Sequence, residues 1–113
     1  MHEIAIAHDI ISIIEETLIS FPDRSLKTAC VSIGEMVAVV PALLQHAYDS
    51  LISGTHLDGS KLEITIIPIS AVCNSCQKTF GLSEYEFCCP ACQSVHIKVK
   101  TGNELYVKEL IVE

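Results

Sequence analysis

Cys73-Asn74-Ser75-Cys76 and Cys89-Pro90-Ala91-Cys92 are two Cys-x2-Cys knuckles with 12 residues between them. At that spacing two tight turns present four sulfurs to one tetrahedral ion. Each thiolate binds zinc at about 2.3 Å, and amides within the short turns donate to sulfur and spread its charge. A closed four-sulfur site leaves no position for substrate water, so it holds structure and does no catalysis. Four reduced cysteines without a ligand would leave this segment with little to stabilise it. Cys88 with Cys92 makes Cys-x3-Cys, which zinc also accepts. Pro90 pre-sets the turn after Cys89, so Cys89 is the preferred ligand and Cys88 a spare thiol able to exchange into the site. Neither pair lies in the βαβ context of a redox motif, and Cys30, alone in mid-strand, reads as a small buried apolar residue.

Outward from the knuckles the pattern becomes that of an ordinary α+β domain. Ahead of them, Lys61 to Ile67 alternates Leu62, Ile64 and Ile66 against Glu63 and Thr65, the period of a strand that Pro68 ends or leaves at a sheet edge. Before that, Pro41 opens a helix whose Leu44, Ala47, Tyr48 and Leu51 share one face and which Gly54 closes. An earlier unit repeats the order. Ile4, Ala7, Ile11, Ile14, Leu18 and Phe21 step by three and four, widened by Ile10 and Ile13, and Phe21-Pro22-Asp23 ends this first helix. Ala29, Val31 and Ile33 then alternate with Thr28, Cys30 and Ser32 as a half-buried strand reaching Gly34. Beyond the knuckles, Gly102-Asn103 turns into a third strand over Glu104 to Val112.

The expected fold is therefore α+β: two helices packed on a three-stranded, mainly antiparallel sheet, with a four-cysteine zinc-ribbon-like domain inserted between strands two and three. Residues 1–68 plus 102–113 make the first domain and 69–101 the second. The insertion is too short and cysteine-rich to build an ordinary core, so its folding is expected to depend on metal.

Composition narrows the function. The 113 residues are 50% hydrophobic, with 14 acidic against 7 basic side chains and a formal charge of −7. Such a chain can bury a core, and its acidity is the wrong field for nucleic acid, whose binding rests on Lys and Arg. The first basic side chain is Arg24, and Asp9, Glu15 and Glu16 break the apolar start, unlike a signal peptide. No charge-free run reaches the roughly 18 residues of a membrane span. A cytoplasmic location is expected, where cysteines stay reduced and serve metals. No open metal triad, nucleophile elbow or phosphate loop points to an enzyme.

The first three residues carry the other chemistry. In Met1-His2-Glu3 the terminal amine, the main-chain nitrogens of His2 and Glu3 and the His2 ring can lie in one plane, which suits square-planar nickel(II).

Taken together, these motifs resemble the HypA/HybF family of hydrogenase nickel-incorporation proteins, end to end. The matching residues are Met1-His2-Glu3-Ile4, Gly34-Glu35-Met36, Val40-Pro41-Ala42-Leu43-Leu44, both knuckles and Gly102-Asn103-Glu104-Leu105. The resemblance implies a metallochaperone with a structural zinc site at Cys73, Cys76, Cys89 and Cys92. It also implies a transported nickel ion, with His2 as principal ligand, Glu3 in support and Met1 at the terminus. Its implied partners are a maturation GTPase and the [NiFe] hydrogenase large subunit, or in some organisms urease, with the chain a monomer or weak homodimer. The competing reading is a zinc-ribbon interaction or nucleic-acid module with no transported metal. His8 departs from the family pattern, as does Gln77, which follows Cys76 where glycine is common. His8 reads as a solvated flank or as an extra ligand or shuttle, and His96 as a ligand that could replace a thiolate or reach across to a nickel ion, although four sulfurs already close the zinc site. His46 and His56 are given no role.

Overall fold

The computed structural model describes residues 2–82 and 87–113, the His2 side chain excepted. Within it the chain forms α1 (His2–Leu18), β1 (Leu26–Gly34), a 3-10 turn (Glu35–Val37), α2 (Pro41–Ile52), β2 (Lys61–Ile67), β3 (Ser70–Cys73), β4 (Thr79–Gly81), β5 (Ile97–Thr101) and β6 (Leu105–Val112). The strands make two three-stranded sheets, ordered β2-β1-β6 and β4-β3-β5. The chain divides into two compact units, one of residues 1–32, 39–65 and 105–113 and the other of 33–38 and 66–104.

In the first unit α1 packs on α2, and Ile6, Ala7, Ile10, Ile14, Leu18, Leu44, Tyr48 and Val31 are buried in its core. Pro41 stands at the start of α2, where its missing N–H costs nothing. The buried face of α1 differs from the expected stripe. It runs through Glu3, Ile6, Ala7, Ile10, Ile14 and Leu18, whereas Ile4 is 57% exposed and Ile13 41%. Ala7, Ile14 and Leu18 are common to both, and the face is turned toward Glu3, Ile6 and Ile10 by about half of the 100° that one residue makes. The helix also ends at Leu18, short of Phe21-Pro22, and Phe21 closes a turn by donating its amide to the Leu18 carbonyl at 2.8 Å.

β1 is the central strand and is covered on both faces, since Thr28 and Ser32 are buried along with Ala29, Val31 and Ile33. The period of two was legible, but not that a middle strand shades its small polar side too; Cys30 is half-buried there. β1 and β6 run antiparallel. Ser25 and Glu113 exchange hydrogen bonds of 3.3 and 3.0 Å at one end, and Gly34 donates to the Glu104 carbonyl at 2.7 Å at the other.

The second unit has the core that its composition argued against. Ile69, Ala71, Cys73, Phe80, Leu82 and Cys89 cluster together, with Ile97 and Val99 against them. β3 pairs antiparallel with β4 (Ala71 opposite Phe80) and with β5 (Cys73 opposite Ile97), with a bulge at Ser70/Ala71. Two knuckle cysteines thus serve as core residues. At its base, Met36 donates to the Gly102 carbonyl at 2.6 Å, and the Ile69 amide donates to Glu35 Oε1 at 3.1 Å. Gly34 has ordinary extended backbone (φ −68°), yet a Cβ there would overlap the Gly102 and Asn103 backbones. It is glycine for close approach rather than for a turn.

Candidate metal centre

Each knuckle folds by the same local rule. The Gln77 amide donates to the Cys73 carbonyl and the Gln93 amide to the Cys89 carbonyl, both at 2.8 Å. The closing residue is left-handed in both, Gln77 at φ 67° and Gln93 at φ 63°. That conformation explains why glycine suits the position, and a side chain costs about 1 kcal/mol there. Gln77 offsets part of this by donating Nε2 to the Asn74 carbonyl at 3.1 Å.

The two turns bring Sγ of Cys73, Cys76, Cys89 and Cys92 within 4.8 Å of one another. Cys73 and Cys92 sulfurs are 3.5 Å apart, and those of Cys76 and Cys89 3.6 Å. Four sulfurs at about 2.3 Å from a tetrahedral ion are separated by about 3.8 Å, so the donor set fits zinc in both chemistry and size. The Cys76 and Ser75 amides both point at Cys73 Sγ from 3.4 Å. The Cys76 amide foremost, with that of Ser75, holds the Cys73 thiol down at about 6. Cys92 accepts from the Ser94 amide, which favours its thiolate, yet crowding against Cys73 and the other sulfurs pushes it up to about 12. Such opposed acidities are what four sulfurs show when they compete for few charges, a competition that a dication ends.

Cross-links hold the knuckles together: Ser75 Oγ meets Ser94 Oγ at 3.0 Å, and the Asn74 amide donates to the His96 carbonyl at 2.8 Å. Spacing alone gave no sign of these serines. Cys88 and the exposed His96 ring stand outside the four-sulfur cluster.

At the other end of the chain, Met1 and the His2 side chain lie outside the described residues. Glu3 is buried, and its Oε2 accepts the Val40 amide at 3.0 Å. That amide, followed by Glu3's own, holds the carboxyl below the usual carboxylate range. No local pattern signals that the residue before Pro41 orients Glu3. Glu3 also lines a cavity of about 370 Å³ together with Ile4, Leu43 and the exposed His46. His8 is exposed, and His56 Nε2 pairs with Glu15 Oε1 at 2.7 Å on the surface.

Comparison with known proteins places this geometry. No helix among the described residues is long and apolar enough to cross a membrane. In sequence the chain is 34% identical, over the whole of both chains, to the hydrogenase maturation factor HypA of Geobacter sulfurreducens. It is 33% identical to HypA 2 of Bradyrhizobium diazoefficiens, again over both full lengths. In fold it is similar to the solution structure of a HypA protein, with a TM-score of 0.70 and 22% identity over 97% of this chain and 94% of that one. It is also similar to the solution structure of the Ni metallochaperone HypA from Helicobacter pylori, with a TM-score of 0.66 and 21% identity over 96% and 94% of the two chains. Residues 1–112 match the HypA family, described as hydrogenase/urease nickel incorporation, metallochaperone, and the chain belongs to that family of maturation factors.

Proposed function

We propose that the chain carries nickel(II) at Met1-His2-Glu3 and delivers it in the cytoplasm to the large subunit of [NiFe] hydrogenase, alongside a maturation GTPase. Urease is a second recipient within the same reading. In this reading residues 1–68 plus 102–113 carry nickel, and 69–101 hold zinc on Cys73, Cys76, Cys89 and Cys92. The zinc ion cross-links the two knuckles and does no catalysis. The observation that carries the proposal is the full-length match to nickel-incorporation proteins, with His2-Glu3 in place at the start of the chain.

The physics of the terminus suits a carrier. α1 begins at His2, so the amides of its first turn have no helix carbonyl four residues earlier to donate to. The same end bears about half a positive charge from the helix dipole, which opposes a dication. Glu3, kept ionised by the Val40 amide, offsets that repulsion. A site balanced in this way holds its cargo and still releases it.

The test is nickel titration of zinc-loaded native protein beside His2→Ala and a version extended at the amino terminus. Both variants should lose the nickel site while keeping zinc. Equal uptake by all three would overturn the terminal site and favour a zinc-ribbon interaction module.

A further inference from the structure

The outer edge of β6 is unpaired among the described residues, because β6 ends the order β2-β1-β6. It is eight residues long, and Leu105, Tyr106 and Ile111 are each at least 40% exposed. A long apolar edge is a ready template for another strand, and proteins normally blunt such edges. Between this edge and α1 run two cavities of about 390 and 300 Å³ that share Ile13 and Val107. Ile10 and Ile13 flank one of them and Phe21 the other. Exposed strand backbone beside an apolar groove is the arrangement that takes up an extended peptide, with main-chain bonds for affinity and pockets for alternate side chains.

The charges choose the occupant. The groove is rimmed by Asp9 at one end and by Glu109, beside Lys108, at the other. A second copy of β6 fits poorly. A two-fold axis normal to the sheet pairs positions whose numbers sum to an even value. The two registers of fullest overlap then set Lys108 against its own copy or Glu109 against its own copy, and like charges directly opposite destabilise a ladder.

We infer that the β6 edge and the α1/β6 groove bind an extended segment of a different protein. That segment adds as a strand, with apolar side chains in the groove and a basic one facing Glu109. No residue of either metal motif takes part, so the inference stands or falls separately from nickel transport.

The probe is a blocked synthetic peptide as long as β6, with valines on one face and threonines on the other, and one mid-strand valine replaced by arginine. A twin carries glutamate at that position. With zinc-loaded full-length protein, the arginine peptide should bind about threefold tighter than its twin, the scale of a cross-strand charge pair. It should also slow hydrogen exchange of β6 amides, and Glu109→Lys should invert the preference. An arginine peptide methylated on its edge-facing nitrogens should not bind. Unprotected β6 amides at millimolar peptide, a preference unchanged in Glu109→Lys, or a dimer sealed along β6 would each overturn the inference.

Discussion

Gly34→Ala tests whether three chain segments really cross in backbone contact at the base of the second unit. Gly34 has φ −68°, which alanine adopts freely, so backbone conformation predicts no penalty. Packing predicts the opposite, because the added Cβ would overlap the main chain of Gly102 and Asn103 and push the strands apart. The bonds at risk are Gly34 N–H to the Glu104 carbonyl at 2.7 Å and Met36 N–H to the Gly102 carbonyl at 2.6 Å. Each is worth about 1 kcal/mol net, and more where a group is left buried without a partner, so the loss should be about 2–4 kcal/mol. Gly54→Ala is the control: its φ is +77° and nothing lies within 4 Å, so only conformational strain of about 1 kcal/mol applies. Urea unfolding of the zinc-loaded chain gives both numbers, and faster hydrogen exchange at Met36 and Gly34 locates the damage. If Gly34→Ala costs no more than Gly54→Ala, the crossing is not the close contact described.

Cys76→Ser should abolish zinc binding while Cys88→Ser leaves one ion per chain, as measured by metal content after dialysis. Tyr48→Phe removes the 2.7 Å hydrogen bond to Ser60 Oγ inside the first unit and should cost about 1–3 kcal/mol in urea unfolding. Adding Ser60→Ala should recover part of that loss. Glu3 has its carboxyl held below the usual 4.5 by the Val40 amide, so its stabilising effect is full above that pH and fades as acidity carries it through the depressed value. The stability gap between native protein and Glu3→Gln should therefore close below about pH 4.5, and a gap independent of pH would count against the bond.

What could be read from sequence was what depends on near neighbours. Pro41 and Pro68 mark chain boundaries because proline's constraints act within one or two residues. The four sulfurs were legible for the same reason, since Cys-x2-Cys is a single turn. The buried face of α1 was legible in Ala7, Ile10, Ile14 and Leu18 but not at its margin. Ile4 and Ile6 are equally apolar, and only the position of α2 and the sheet decides which one turns inward. The second unit's core was missed because its members, Ile69, Phe80, Leu82, Ile97 and Val99, are scattered among polar residues and meet only when β3, β4 and β5 pair. The Val40 amide on Glu3 and the Glu35 carboxylate on the Ile69 amide join residues 37 and 34 positions apart, beyond any periodicity.

The knuckles are alike in backbone and also in how they meet solvent. Cys73 and Cys89 are wholly buried, while Cys76 and Cys92 are exposed. Each turn thus gives the cage one rooted sulfur and one outward sulfur. A chelator, an oxidant or a competing thiol must attack the outward pair first, while the rooted pair still grips the ion. For an ion held by these four sulfurs, resistance to loss would consequently be a matter of rate as well as affinity.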